Sequence, residues 1–389
     1  MTELEERLSR ELKELSERAQ PGSIRPLREP QVRRRPRAVR WLAPVAAVAA
    51  VLGVIAGVSV IGRPGGGGVR PSVPQEQGPM PRYYVTVWQT YAGSGNGHVI
   101  PTYAVVHDSA TGAALASVRV PTLTDSQGGT QGPSITAAGD DRTFVIMEQS
   151  DVPRINVFYR LRVAANGRSA KLSKLPVSVP AYLALTDVAL SPDGTRLAMD
   201  VQHCNDKTES CPYTGIRVVT IATSAVSSWT TRANGAPFNV SWVGNERVAF
   251  EWQAGGRTPP AGQQTGYRLL TLTGAGRDLM ASRAVGSPPA RPDGSVPAAL
   301  VTADGKVVVT SAGSNVIELS ARTGQPLRVL YTATGGGSGC EVLSLAPSGI
   351  HVLVSCPAFG RVDGDRFTPL RAFPSPSSSG ISGQQAATW

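Results

Sequence analysis

The chain has 389 residues, of which 41% are hydrophobic and only 17% charged, with 42 Gly and 31 Pro. That much Gly and Pro divides a chain into many short strands rather than long helices. The net charge of +10 does not mark a nucleic-acid binder: residues 1–40 hold eleven Lys or Arg against seven Glu, and residues 63–389 spread the other 27 bases and 21 acids thinly.

Residues 2–19 read as an amphipathic helix. Thr2 and Glu5 have the spacing of a capping box, and Leu4, Leu8, Leu12 and Leu15 fall on one narrow face. Glu3–Arg7, Glu6–Arg10 and Glu14–Arg18 are favourable i,i+4 pairs, and Pro21-Gly22 ends the element. A helix this short is marginal alone. Its leucine face is therefore a candidate docking surface for a cytosolic protein or a second copy, with a solvated stub or a membrane-surface helix as the alternatives. A zinc module here is excluded, because the first His is His98 and the first Cys is Cys204.

From Trp41 to Gly62 no residue is charged. As a helix this stretch measures about 33 Å, enough for a hydrocarbon core of about 30 Å. Arg33, Arg34, Arg35, Arg37 and Arg40 precede it and only Arg63 follows closely. Positive charge stays inside, so residues 1–40 are expected in the cytoplasm and the bulk of the chain outside a plasma membrane, on a single span. A cleaved signal peptide would have an unusually long charged segment before it. Residues 63–81, rich in Gly and Pro, read as a spacer.

Beyond the spacer a strand–turn–strand unit recurs. Its clearest copy runs from Val188 through Ser191-Pro192-Asp193-Gly194 to Val201, with Leu197, Met199 and Val201 alternating. Pro presets φ at the second turn position and Gly tolerates the fourth. Further copies cover 135–146, 240–250, 300–309 and 343–354, aligned on Asp141, Asn245, Gly305 and Gly349. Second strand pairs are predicted at 216–222 with 225–230, 267–273 with 278–285, and 316–320 with 326–331. Four strands per repeat of about 50 residues is the period of a propeller blade. The expectation for residues 82–389 is an all-β propeller of six four-stranded blades, with seven as the alternative. No inner strand precedes Tyr83, and the tail Ile381–Trp389 is the candidate that would close the ring.

Ser191-Pro192-Asp193-Gly194 between strands resembles the TolB-type and WD-like propeller repeats of bacterial envelope proteins, at the level of pattern over residues 82–373. The resemblance implies a scaffold for binding partners and names none. Only five of the 38 basic residues are Lys, which points to a high-GC, actinobacterial genome.

All four Cys fall after the span, where disulfides persist. Strand placement pairs Cys204 with Cys211 and Cys340 with Cys356; a zinc or redox site would need closer spacing. The four His are scattered, and no phosphate loop, nucleophile elbow or dinucleotide fingerprint occurs. No catalytic, metal or cofactor residue is therefore nominated. The leading expectation is a non-enzymatic, membrane-tethered binding, sensing or scaffold module with a protein partner outside and no nucleic acid. The rivals are a propeller hydrolase or lyase with a site of scattered loop residues, and a regulator of a cytosolic factor acting through residues 2–19.

Overall fold

The computed structural model describes residues 79–90, 102–123, 131–151, 154–205, 210–255, 265–273, 277–286, 297–334, 339–356, 358–370 and 383–389. The helix face of Leu4, Leu8, Leu12 and Leu15, the span at 41–62 and the spacer to residue 78 lie outside them.

Local turn chemistry sets the architecture. In the clearest repeat, Asp193 Oδ1 accepts the Thr195 N–H at 3.0 Å, the Thr195 hydroxyl at 2.8 Å and the Ser191 hydroxyl at 2.5 Å. Asp140 and Asp304 do the same for the N–H groups of Thr143 and Lys306, at 2.8 and 3.0 Å. These bonds close the backbone into a hairpin without any partner from elsewhere in the chain. Positive φ falls at Asp141, Gly194, Gly305 and Gly349, four of the aligned turn positions. In the remaining repeat it falls on Gly244 rather than Asn245. That turn is tighter, since Val243 pairs directly with Arg247.

Six sheets result, joined antiparallel throughout. Blade one holds β1 (Tyr83–Thr90), β2 (Thr102–Asp108) and β3 (Ala114–Val120). Blade two holds β4 (Gln131–Ala137), β5 (Thr143–Asp151), β6 (Arg154–Val163) and β7 (Ala170–Lys174). Blade three holds β8 (Leu183–Ala184), β9 (Val188–Leu190), β10 (Arg196–Asn205), β11 (Ser210–Thr220) and β12 (Ala225–Thr231), with β8 and β9 as two halves of one inner strand along β10. Blade four holds β13 (Gly235–Val243), β14 (Arg247–Ala254), β15 (Gly266–Thr271) and β16 (Arg283–Ala284). Blade five holds β17 (Ala299–Val301), β18 (Val307–Ala312), β19 (Asn315–Ser320) and β20 (Pro326–Thr332). Blade six holds β21 (Glu341–Leu345), β22 (His351–Ser355), β23 (Phe359–Asp363) and β24 (Arg366–Pro369).

The last strand, β25 (Gly383–Thr388), returns to blade one as its innermost strand, pairing Val85 with Thr388 through Thr90 with Gly383. Each inner strand touches the next around a closed circle of β25, β4, β9, β13, β17 and β21. The ring is thus a six-bladed propeller closed by the chain's own tail. Trp389 is buried against Tyr84, Leu353 and Leu370, and its backbone N–H meets the Ser344 hydroxyl of blade six at 3.3 Å.

Blades bury both faces. In blade three, Leu197 and Met199 pack toward blade two, while Ala198, Ile216 and Trp229 pack on Trp242, Phe250 and Trp252 of blade four. Polar links cross the same seams: Leu190 N–H donates to Thr136 Oγ1 at 2.9 Å, and Trp242 Nε1–H to the Ala189 carbonyl at 2.9 Å.

Two expectations are refined. The predicted strand at 278–285 is instead a 3-10 turn, Leu279–Ala281, followed by the short β16. Asp278 caps it by accepting the Met280 N–H at 3.0 Å, and the buried Arg268 donates to the carbonyls of Met280 and Ser282 at 2.7 and 2.8 Å. The guanidinium thus takes carbonyls that a strand would have given to its neighbour. Cys340 and Cys356 form the expected disulfide, at the ends of the paired β21 and β22. Cys204 and Cys211 lie on the paired strands β10 and β11, and their side chains lie outside the described residues.

Candidate functional site

Inner strands begin on one face of the ring and end at the hairpin turns on the other. The strand ends at Thr90, Val120, Ala254, Ala284 and Pro369 and the strand starts at Thr102, Gln131, Gly266, Ala299 and Gly383 share the first face, called here the loop face. The opposite, turn face carries the short Asp-rich hairpins.

An axial cavity of about 520 Å³ runs between them. All six inner strands contribute to its wall, from Ile135–Gly139 and Asp141 in blade two to Thr388 of β25 and the following Trp389. Its wall is mostly Ala, Val and Leu with interspersed hydroxyls. Among the described residues three carboxyl residues line it, namely Asp141, Asp187 and Glu341, and no Lys, Arg or His does.

Asp187 is positioned by a break in the inner strand. Between β8 and β9 the backbone leaves β10, and the N–H groups of Thr186 and Asp187 donate to Asp200 Oδ1 at 3.0 and 2.7 Å instead of to the ladder. The Thr186 hydroxyl donates to Asp200 Oδ2. Asp187 in turn accepts the N–H of Val188 at 2.8 Å and, across the seam to blade four, that of Val240 at 2.7 Å. Asp200 is fully buried, whereas Asp187 keeps accessible surface because it borders the cavity. Burial pushes the Asp187 carboxyl up to about 6, against the pull of its two N–H donors. Burial, together with the charge of Asp187, pushes Asp200 up to about 7.

The equivalent position on β14 is the buried Glu251. It accepts from Asn239 Nδ2 at 2.5 Å and Gln253 Nε2 at 2.9 Å, and Tyr267 Oη lies 3.4 Å away. Asn239 borders the cavity with a positive φ of 49°. Burial, and then the charge of Glu251, hold the Tyr267 phenol well above its usual range. On β5 the fully buried Glu148 is pushed by burial up to about 8.

The loop-face end of blade three carries an exposed aromatic series outside the cavity lining. Tyr182 and His203 rings lie 4.9 Å apart, and His203 and Tyr213 rings 6.1 Å apart. Arg232 covers Tyr213 at 5.0 Å and donates to its hydroxyl at 2.9 Å.

Chemically, Asp187 is a carboxyl held above its usual range at the cavity wall, with the buried Asp200 fixing the backbone beneath it. Among the described residues, no group of three His, Cys, Asp or Glu side chains could hold a metal. Thr86 Oγ1 and His107 Nε2 are 2.9 Å apart, but both are buried and the imidazole stacks on Tyr84 at 4.6 Å, so the pair serves packing.

The sequence nominated no residue of this site. Asp200 sits between Met199 and Val201 and reads as the outward member of an alternating strand. The available signal was double-sided burial: an acid on the second strand of a sandwiched blade has no solvent face, and Glu148, Asp200 and Glu251 are all on such strands.

No family model and no curated protein matches the chain. Among solved structures it is similar to a prolyl endopeptidase, at 16% identity over 64% of this chain and 35% of that one, with a TM-score of 0.34. It is also similar to a puromycin-hydrolysing peptidase of Mycobacterium tuberculosis, at 12% identity over 74% of this chain and 54% of that one, with a TM-score of 0.32. A Synechocystis apocarotenoid oxygenase matches at 11% identity over 74% of this chain and 72% of that one, with a TM-score of 0.33. The chain spans about a third of the prolyl endopeptidase and about half of the puromycin-hydrolysing peptidase. These likenesses assign neither a family nor an activity.

Proposed function

We propose that the chain is a membrane-tethered binding module whose extracytoplasmic propeller takes its ligand at the loop face and axial cavity. The cavity carries this reading: a site of about 520 Å³, walled from every blade, with the Asp187 carboxyl held in place by the N–H groups of Val188 and Val240. The exposed Tyr182, Tyr213 and Arg232 at the loop-face end of blade three have the composition of a protein-recognition hot spot. The arginine asymmetry around residues 41–62 supports the tether and the outward propeller, and the Leu4, Leu8, Leu12 and Leu15 face supports a cytosolic contact.

Protease added to spheroplasts should digest residues beyond 63 and spare 1–40. Capture of a partner on the full chain should be lost when Leu300→Trp fills the cavity, with the melting temperature little changed. Capture that survives this substitution would place the ligand elsewhere.

One observation favours a hydrolase or lyase instead: Asp187 borders the cavity with its carboxyl raised to about 6, suited to proton transfer. Both of its oxygens are engaged by N–H groups, which fits a fixed binding group better than a mobile acid.

A further inference from the structure

We propose that the axial cavity selects a cationic group on an aliphatic stem, an ammonium or guanidinium such as a lysine or arginine side chain of a peptide or a free alkyl diamine. This rests on the reading of the cavity as the ligand site and adds its charge preference.

The cavity contrasts with the protein around it. The chain carries +10 and residues 63–389 hold 27 bases against 21 acids, yet among the described residues the wall offers three carboxyl residues and no base. The field of this described lining around Asp187 is therefore negative. Low-dielectric walls then focus it along the axis. The carboxyls are spread over the length of the channel: Glu341 opens β21 at the loop face, Asp187 precedes β9, and Asp141 occupies a hairpin turn on the turn face. An alkyl stem would lie against the partly exposed Leu300, Leu343 and Leu345, and its charged head would reach Asp187.

Asp187 is prepared for such a guest. Each of its oxygens accepts one backbone N–H and retains a second lone pair. The groups facing it are Asp200 on β10, beneath it, and the Glu251–Asn239 pair of blade four; none supplies a positive charge. An entering ammonium provides the missing counter-ion and favours the ionised carboxylate, so binding should release protons at mildly acidic pH.

The test uses the full chain in mild detergent and calorimetry with four probes: a blocked lysine tripeptide, its norleucine and α-aminoadipate analogues, and 1,5-diaminopentane. The lysine peptide should bind about tenfold or more tightly than the norleucine peptide, and the α-aminoadipate peptide should not bind. Affinity for lysine should rise from pH 5 to 7.5 with proton release below pH 6.5. Asp187→Asn keeps an acceptor for Val240 N–H and should reduce the lysine-to-norleucine ratio to about one. Glu341→Gln, at an exposed position, should lower it in the same direction in a chain whose circular dichroism is unchanged. Binding of 1,5-diaminopentane as tightly as the peptide identifies the free amine as the source; binding of the peptide alone identifies the side chain. Equal binding of all three peptides overturns the charge preference and leaves the cavity as a ligand site. Absence of binding by every probe to a folded chain overturns both.

Discussion

The two faces of the propeller treat their carboxyl groups in opposite ways. On the turn face, Asp140, Asp193 and Asp304 are raised by partial burial, but the hydroxyl and N–H donors of their own turns outweigh it and hold each below the usual range. Asp141 is the exception there, raised by burial and the neighbouring Asp140. In the loop-face half, Glu148, Asp187 and Asp200 are pushed up to about 8, 6 and 7, with burial the largest cause for each. The turn face uses ionised acids to hold short hairpins, a local task that needs no other part of the chain. The loop half places acids between blades, where they cost stability as ions and line or support the cavity. The depressed carboxyls thus gather in the hairpins at one end of the ring, and the strongly raised ones between blades toward the other.

The largest perturbation removes the element shared by both faces. Ending the chain at residue 370 deletes β25, opens β1 along its inner edge and exposes Tyr84 and Leu353. The cooperative unfolding transition should disappear and the protein should aggregate, measured by thermal circular dichroism and light scattering.

Next comes the loop-face staple. Cys340 and Cys356 close a loop with a sequence separation of 16. Cys340→Ser with Cys356→Ser should cost about 3 kcal/mol in the chain-entropy description, read as a shift of the denaturation midpoint. An unchanged midpoint would show that blade six is held by packing alone.

The pH dependence sharpens the contrast further. A carboxyl whose folded pKa is raised binds more protons folded than unfolded, so stability falls as pH rises from the unfolded value toward the folded one. For Glu148, Asp187 and Asp200 that window runs from about 4 to about 8. The turn-face acids have depressed values, so their stabilisation is present above about 4 and is lost as pH falls further. Stability should therefore peak near pH 4–5, and the melting temperature should drop from pH 5 to 8.5. Glu148→Gln should recover roughly 4 kcal/mol at pH 8 and almost nothing at pH 4, flattening the alkaline arm. A melting temperature that rises toward pH 8 would contradict the upward shift of the acids between blades.

The smallest effect belongs to a single turn. Asp193→Ala removes acceptors from Ser191 and Thr195 and should cost about 1 kcal/mol, with the cavity and any ligand affinity unchanged.

The same contrast explains what could be read in the chain beforehand. The hairpins were legible because Ser191-Pro192-Asp193-Gly194 and its relatives encode their geometry within a few residues, and strand period did the rest. Even the closing strand was legible, as the complement to a blade without an inner strand before Tyr83. The predicted strand over 278–285 failed because Arg268, ten residues upstream, takes the carbonyls of Met280 and Ser282. Asp187 and Asp200 were invisible because their meaning depends on which blade lies alongside. An acid beside Met199 is ordinary in sequence and becomes a site only when Val240 of the next blade arrives at Asp187.

Ring closure is the premise on which the cavity stands, and native-state hydrogen exchange on the full chain tests it most directly. Backbone amides of Gln385–Thr388 in β25 should exchange as slowly as those of Val85–Val87 on β1, since the two strands share one ladder at the centre of a closed ring. Exchange of residues 385–388 at the rate of an unprotected chain, with β1 protected, would contradict a propeller closed by its own tail.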